Sequence, residues 1–232
     1  SIPEYATNLF ACGKDAGDWM FGGASYQIIN NAIDVAVYTY GSTKRQEMRR
    51  QLGLENEFTI GHVGRFNQPK NHPFLLDIFA ALLKKEPNAA LLLVGGGADM
   101  PKIQAKVQEL GIAERVRFLG VRSDVADLMQ AMDVFVFPSL YEGLPVTMVE
   151  AQASGLPCII SDKVPPECIL TDGLVNIMPL SANPEAWAEK ILSMRAVPRT
   201  DRHEEIAAHG FDISTEAVKL QEFYLKAYEQ NC

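Results

Sequence analysis

The sequence predicts an α/β fold, a doubly wound parallel sheet. Two observations predict it: short apolar runs rich in β-branched residues recur along the chain, and amphipathic stretches separate them. The candidate strands are residues 58–63, 90–94, 116–119, 134–137, 158–161 and 175–178. They are largely apolar instead of alternating, which is typical of parallel strands that are covered on both faces.

Apolar residues at helical spacing fill the gaps between these runs. They recur three and four residues apart at 74–83, before Pro87, and similar patterns cover residues 100–110 and 125–132. Each predicted helix joins one candidate strand to the next. This repeated alternation favours a parallel sheet with helices on both faces.

The first part of the chain is too short to be a domain. Residues 1–40 contain one predicted βαβ unit, whose strand, helix and strand lie at 7–11, 14–21 and 26–29. We expect this unit to be the end of an N-terminal domain followed by a linker. Because the sequence opens at Ser1 close to a strand, we also expect a piece of a longer chain without a secretory signal.

The rest of the chain divides into a main domain and a terminal helix. We expect residues 41–210 to form the doubly wound domain. Residues 211–232 include an amphipathic stretch at 215–229, which predicts a C-terminal helix that packs toward the N-terminal domain.

Composition and charge exclude several classes of protein. The chain is 47% hydrophobic and 22% charged, as globular domains are, so intrinsic disorder is excluded. A net charge of -8 argues against nucleic-acid binding and against binding of anionic lipids, because both need a basic face. The longest apolar runs fall far below the ~20 residues of a membrane-spanning helix. Any membrane contact is therefore expected to be peripheral.

The four cysteines show no ligand spacing. They form neither a CxxC motif nor a Cys/His pattern, and they lie at Cys12, Cys158, Cys168 and Cys232. We expect the reduced thiols of a cytoplasmic protein and no structural zinc.

Three successive glycines, Gly95, Gly96 and Gly97, follow a candidate strand and precede a helix. Ligands bind at such a place in α/β sheets. A dinucleotide fingerprint requires a third glycine where this chain has Met100, so binding of a nicotinamide cofactor is not expected. A plain tight turn stays an equal alternative.

The segment 138–150, with sequence PSLYEGLPVTMVE, also lies between a strand and a helix. Pro145 suits the first helical position, where a missing N–H costs nothing. Free amides at the helix start are then expected to bind a phosphate, and they belong to Gly143, Leu144, Val146 and Thr147.

Two carboxylates, Glu142 and Glu150, flank this predicted phosphate site. Each can accept hydrogen bonds from vicinal hydroxyls, which suits a ribose at one end of a nucleotide sugar and a hexose at the other. In the alternative interpretation, Glu142 only complements the helix dipole and Glu150 is solvated.

Two cations are expected near the end of another strand. Arg65 follows Gly64, and Lys70 comes after a short loop. A guanidinium fork and a compact ammonium together can neutralise a diphosphate as a sugar departs. A solvated surface pair is the alternative. We expect His72 to begin a helix and the other three histidines, His62, His203 and His209, to be packing or surface residues.

In combination, these motifs resemble the C-terminal domain of family-four glycosyltransferases, and in particular the capsule and exopolysaccharide branch. The resemblance covers residues 26–230 and rests on the order Gly64-Arg65-Phe66, Lys70-Asn71, Phe118-Leu119-Gly120, Asp124-Val125, Glu142-x7-Glu150 with Ala151, and Gly155-Leu156-Pro157. It implies the retaining, two-domain GT-B architecture, of which this chain would hold the Rossmann-like C-terminal domain and a fragment of the N-terminal one.

The resemblance also implies a role for each motif residue. The catalytic residues would be Arg65, Lys70 and Glu142, with both cations on the diphosphate and the carboxylate on the donor hexose. The donor-binding residues would be Gly64, Val121, Arg122, Gly143, Leu144, Pro145, Val146, Thr147 and Glu150. Among these, Glu150 would bind the ribose, and the base would lie near Val121 and Arg122. Pro145 departs from the family pattern, since many relatives have glycine there.

The expected function is transfer of a sugar from a UDP-sugar, or with less support a GDP-sugar, to a saccharide or lipid-linked acceptor. No cofactor and no metal are expected. The protein would be cytoplasmic, at most peripheral to the inner face of the membrane through its N-terminal domain, and this part alone is expected to be inactive. Two alternatives stay open: a nucleotide-sugar epimerase of related architecture and a non-catalytic binding module.

Overall fold

The computed structural model describes residues 2–229 as alternating helices and strands. The strands are β1 (Phe10–Ala11), β2 (Gln27–Ile28), β3 (Phe58–Val63), β4 (Ala89–Val94), β5 (Val116–Gly120), β6 (Val134–Phe137), β7 (Cys158–Ser161) and β8 (Val175–Met178). The helices are α1 (Ile2–Tyr5), α2 (Lys14–Phe21), α3 (Val35–Tyr38), α4 (Ser42–Gln51), α5 (His72–Lys85), α6 (Met100–Glu109), α7 (Val125–Ala131), α8 (Val146–Ala153), α9 (Pro184–Ser193), α10 (His203–Ala208) and α11 (Ile213–Glu229).

Strands β3 to β8 form one parallel sheet in the order β5-β4-β3-β6-β7-β8. The chain moves outward from β3 through β4 to β5, then crosses back to β6 on the other side of β3. This reversal opens a crevice between the carboxyl ends of β3 and β6, and α/β sheets bind ligands in such crevices. The predicted doubly wound parallel sheet is confirmed.

Helices cover both faces of the sheet, and the central strands are therefore buried along their whole length. Strands β3, β4, β6 and β7 have no exposed residue, as their largely apolar runs predicted. One face packs against α5, α6 and α9, with fully buried side chains that include Leu75, Phe79 and Trp187. The other face packs against α4, α7 and α8, through Met48, Leu128 and Met148. Burying a side chain of this size stabilises the fold by roughly 1.5–3 kcal/mol.

The two ends of the described chain contact each other. Strands β1 and β2 pair in parallel beside α2, apart from the main sheet. Ile33 pairs with Asp212 in a parallel bridge, and the rings of Phe10 and Phe223 meet edge to face with centroids 5.0 Å apart. Helix α11 therefore lies against the N-terminal βαβ unit. The division of the chain into domains at residues 40 and 210 stays a prediction.

Most predicted elements agree with the structure, and the N-terminal ones are shorter. The strand expected at 7–11 covers only Phe10–Ala11, and the one expected at 26–29 covers only Gln27–Ile28. Both residues of β2 are exposed, so little burial favours a longer strand.

The described cysteines are free thiols: Cys12 is exposed, whereas Cys158 and Cys168 are buried. Cys232 lies outside the described residues. Between residues 2 and 229, no helix combines the length and the apolar character needed to cross a bilayer.

Candidate functional site

The loops after β3 and β4 and the last residue of β5 are joined by backbone hydrogen bonds at the carboxyl edge of the sheet. The amide of Phe66 donates to the carbonyl of Gly96 (3.0 Å), and the amide of Gly95 donates to the carbonyl of Gly120 (2.8 Å). Because each loop is hydrogen-bonded to its neighbour, the side chains that they carry hold fixed relative positions.

The successive glycines allow two of these loops to approach closely. A Cβ atom at Gly95 would lie 2.0 Å from the carbonyl oxygen of Gly64, and one at Gly97 would lie 2.4 Å from that of Phe66. Gly95 also has φ 133°, a conformation that favours glycine. Close packing of backbone against backbone explains these two glycines, as the tight-turn interpretation proposed.

Lys70 and Glu142 form an ion pair across the crevice between β3 and β6. The ammonium Nζ lies 2.7 Å from Oε1 of Glu142, and the two side chains are only 17% and 12% exposed. The same ammonium lies 4.6 Å from the ring centroid of Phe137. The loops that carry the pair are joined as well, since the amide of Leu140 donates to the carbonyl of Pro69 (2.7 Å). The predicted cation and the predicted carboxylate therefore meet.

Helix α8 begins beside Glu142 with a group of free amides. The expectation that Pro145 occupies the first helical position is wrong by one residue. Pro145 has an extended backbone (ψ 106°), so it precedes the helix, and its carbonyl accepts from the amide of Met148 (2.9 Å). Within residues 2–229, no acceptor is found for the amides of Gly143, Leu144, Val146 and Thr147. These amides and the helix dipole favour an anion here.

Glu150 lies one helical turn further along, and its carboxylate is hydrogen-bonded to a residue of α3. The hydroxyl of Tyr38 donates to Oε1 of Glu150 (2.7 Å). Burial raises the pKa of Glu150, and the hydrogen bond from Tyr38 opposes that rise. Burial also raises the pKa of Tyr38, with the hydrogen bond to Glu150 adding to the effect. Glu150 is thus partly buried and hydrogen-bonded, so the alternative that it is simply solvated is wrong.

Two buried imidazoles lie beneath Lys70. The rings of His62 and His72 meet edge to face with centroids 4.7 Å apart, and Phe66 stacks on His72 at 4.2 Å. Burial is the main reason that the pKa of His72 falls to about 4, and the ammonium of Lys70 lowers it further. Burial likewise holds the pKa of His62 well below its usual range. Both rings are therefore neutral, and His72 begins α5 as expected.

The other predicted residues lie at the rim. Arg65 is exposed, and its guanidinium has no partner among the side chains of residues 2–229. Val121 is 84% exposed. The exposed Arg122 forms two hydrogen bonds to the carboxylate of Asp124, of 2.7 and 2.6 Å, so its charge is already compensated. The structure thus brings Lys70 and Glu142 together and leaves Arg65, Val121 and Arg122 open at the edge.

The N-terminal βαβ unit faces the same loop. A cleft of about 130 Å³ lies between residues 12–16, at the start of α2, and residues 142–144. Pro165 and Glu167 complete its walls. The segment before the main domain therefore contributes to the surroundings of Glu142.

Sequence reasoning missed Tyr38 and the buried imidazole pair. Tyr38 lies 112 residues before Glu150, so no local spacing connects the two. His62 occupies a largely apolar strand, which is a signal for a buried polar group, but the sequence alone assigns it no partner.

Comparison with known proteins decides the family. The family model described as glycosyl transferases group 1 matches residues 57–196, which is more than half of the chain. The chain belongs to the group 1 glycosyltransferases. The matched region holds the ion pair, the start of α8 and Glu150.

Relatives of this glycosyltransferase are longer than the chain. The putative glycosyltransferase EpsF of Bacillus subtilis is 38% identical over 228 residues, which are 94% of this chain and 59% of that protein. The UDP-Gal:alpha-D-GlcNAc-diphosphoundecaprenol alpha-1,3-galactosyltransferase of Escherichia coli is 28% identical over 210 residues, 85% of this chain and 53% of that protein. The chain thus spans 53–59% of the length of these two glycosyltransferases.

Solved structures share the fold. Anabaena Alr3699/HepE, crystallised in complex with UDP and glucose, has a TM-score of 0.80 at 23% identity over 96% of this chain and 64% of that one. The C-terminal domain of the group 1 glycosyltransferase LpcC from Francisella tularensis has a TM-score of 0.62 at 22% identity, and covers 79% of this chain and 97% of that one. The α/β parallel architecture of GT-B glycosyltransferases is thereby confirmed.

Proposed function

We propose that this chain is the donor-binding half of a retaining GT-B glycosyltransferase. It would take the sugar from a nucleoside diphosphate sugar, with UDP favoured over GDP, and pass it to a saccharide or lipid-linked acceptor in capsule or exopolysaccharide synthesis. Residues 41–210 would bind the donor, residues 1–40 and 211–232 would adjoin an acceptor domain, and any membrane contact would be peripheral. Two observations support UDP: Alr3699/HepE was crystallised with UDP, and the Escherichia coli relative is named for UDP-Gal.

One observation carries this proposal: the partly buried ammonium of Lys70 lies beside a helix start with four free amides. An ammonium has three N–H donors, so Lys70 can hold Glu142 and a phosphate oxygen at the same time. Arg65, open at the rim, would add a bidentate fork. Together these groups supply positive charge where a leaving diphosphate develops negative charge, and such preorganised charge is usually the largest contribution to catalysis.

The two carboxylates would divide the donor between them. Glu142 lies before α8 and lines the cleft toward the N-terminal unit, and this position supports a role on the hexose side. Glu150 lies inside α8, where its free oxygen can accept from a ribose hydroxyl. The base would extend toward Val121, whose exposed side chain offers an apolar surface.

The first experiment is a thermal-shift series with UDP, GDP, UDP-glucose and UDP-galactose. A ligand at about 100 times its dissociation constant stabilises the folded chain by about 2.7 kcal/mol. We expect stabilisation by UDP and by at least one UDP-sugar. No shift with any of the four ligands would contradict the proposal.

The second experiment separates the two carboxylates. Glu142→Ala should weaken binding of the UDP-sugar and spare UDP, whereas Glu150→Ala should weaken both ligands. Calorimetry measures both affinities. Equal losses for both ligands in both variants would contradict the division of roles.

Transfer itself is expected to need the longer protein. A GT-B site lies between two domains, and the positioning that two walls provide is worth up to ~7–11 kcal/mol. We expect the 232-residue chain to bind the donor without transferring the sugar. In the full-length protein, UDP release only when an acceptor is added distinguishes a transferase from an epimerase, which needs no acceptor. Binding without turnover there would indicate a binding module.

A further inference from the structure

We propose that Tyr38 orients the carboxylate of Glu150 for the ribose of the nucleotide, and so acts as a positioning residue for donor recognition. This inference rests on the proposed function, because Glu150 must bind the ribose for Tyr38 to matter. Tyr38 lies in α3, in the segment between the N-terminal βαβ unit and the main domain.

The contact between the two side chains is direct and shielded. The Tyr38 hydroxyl donates to Oε1 of Glu150 over 2.7 Å, and both residues are partly buried. A hydrogen bond to a charged acceptor is shorter and roughly twice as strong as one between neutral groups. Because Oε1 is occupied by the phenol, Oε2 is the oxygen left to accept from a ribose hydroxyl. Tyr38 thereby selects which oxygen of the carboxylate faces a ligand.

The phenol is itself held in place from two directions. The amide Nε2 of the buried Gln130 donates to the backbone carbonyl of Tyr38 (3.2 Å), while Oε1 of Gln130 accepts from the amide of Gly41 (3.1 Å). The Tyr38 ring packs against the core between α7 and α8 and also against the cluster around Val35 and Ile206. The position of the hydroxyl is therefore set by the backbone of the connecting segment together with the packing of the ring beside α7 and α8.

This arrangement joins the segment to the nucleotide site. The same stretch carries Ile33, which bridges to Asp212 at the start of α11. A shift of the segment relative to α8 would move the phenol away from Glu150. The carboxylate would then lose a donor in a partly buried place, where a missing hydrogen bond to a charge is costly.

The test compares two ligands that differ only in the ribose hydroxyls. Binding of UDP and of 2′,3′-dideoxy-UDP is measured by calorimetry for the wild-type chain, Tyr38→Phe and the matched control Tyr40→Phe. The phenylalanine keeps the ring that packs against the core and removes only the hydroxyl. Thermal unfolding of each variant confirms that it is folded.

We expect Tyr38→Phe to weaken UDP roughly tenfold, the effect of one hydrogen bond to a charged group, and to leave the affinity for dideoxy-UDP unchanged. Tyr40 approaches Arg199 instead of Glu150, with 4.8 Å between the guanidinium carbon and the ring centroid. Tyr40→Phe should therefore bind both ligands as the wild type does.

The pH dependence of UDP binding gives a second measurement, which a loss of packing alone would not change. Tyr38 is the titratable side chain that faces Glu150 across the contact between α3 and α8, and its hydrogen bond lowers the pKa of Glu150. In Tyr38→Phe the pKa of Glu150 rises. As the solution is acidified, Glu150 is then protonated at a higher pH in Tyr38→Phe than in the wild type. The preference for UDP over dideoxy-UDP should therefore disappear at a higher pH in the variant.

The outcomes separate this inference from the proposed function. Equal affinity of the wild type for UDP and dideoxy-UDP would overturn the ribose role of Glu150, and the role of Tyr38 with it. If the wild type prefers UDP and Tyr38→Phe keeps the same preference, the inference about Tyr38 alone is overturned. An equal loss for both ligands in Tyr38→Phe would likewise show a purely structural tyrosine.

Discussion

Replacing His72 by phenylalanine should make the stability of the chain less sensitive to acid. His72 is only 1% exposed, and Nε2 has no hydrogen-bond partner within the described residues. Phenylalanine has a similar ring and can keep the stacking on Phe66. The variant therefore removes a titratable group and changes the packing little.

The size of the effect follows from the pKa of His72. Burial and the ammonium of Lys70 lower it from 6.5 to about 4. As pH falls through 6.5 the unfolded chain takes up a proton at this residue, and the folded chain takes it up only near pH 4. The unfolded state thus binds more protons in this window, so stability falls as pH falls. Between about pH 7.5 and about pH 5.0 this one residue removes about 2 kcal/mol from the free energy of unfolding.

Urea unfolding of the wild type and His72→Phe at those two pH values measures the difference. Between the higher and the lower pH, the free energy of unfolding should fall by about 2 kcal/mol less in His72→Phe than in the wild type. The exposed His209 provides the control, since His209→Gln should behave as the wild type. If His72→Phe loses as much stability on acidification as the wild type does, His72 is not held neutral in the folded chain and the reasoning fails.

Three further substitutions test the packing that positions the site. Arg199→Met should lower the free energy of unfolding by about 3 kcal/mol in urea titrations, because the partly buried guanidinium donates to four backbone carbonyls. A loss no larger than that of the exposed control Arg50→Met would contradict this. Gln152→Leu should cost about 3 kcal/mol, since the buried amide makes four hydrogen bonds, three of which join α8 to the segment before β8. A change under about 1 kcal/mol would refute it. Gly95→Ala should lower the midpoint of thermal unfolding, because its Cβ would meet a carbonyl oxygen at 2.0 Å. Gly41→Ala is the control, since the atom nearest to its Cβ is 3.7 Å away. Equal midpoints for the two alanine variants would argue against close packing of the loops.

The central sheet could be predicted from the sequence because its strands are largely apolar. The boundaries of β3, β6, β7 and β8 coincide with the predicted runs. The N-terminal strands were predicted too long, since exposed residues give no burial signal that marks where pairing ends. The start of α8 differed by one residue because the φ of proline suits both the first helical position and the position before it.

The candidate site could be predicted in part. Lys70 and Glu142 were assigned to one site from the ends of two strands, and parallel strands do bring such ends to one edge. The hydrogen bond between Tyr38 and Glu150 could not be predicted, because its partners lie 112 residues apart and meet only through the packing of α3 on α8. The neutral state of His72 depends on burial, which the sequence pattern alone does not quantify.

The account depends most directly on binding of the diphosphate by two cations at the carboxyl edge. Calorimetric titration of UDP into the wild-type chain, Arg65→Ala, Lys70→Ala and the control Arg50→Ala tests it. Removing a charge-assisted phosphate contact should cost roughly 1.5–3 kcal/mol, which is about a tenfold to hundredfold loss of affinity for each site variant. Arg50 is exposed on α4, away from this edge, and its variant should bind UDP as the wild type does. Unchanged UDP affinity in both Arg65→Ala and Lys70→Ala would contradict the account.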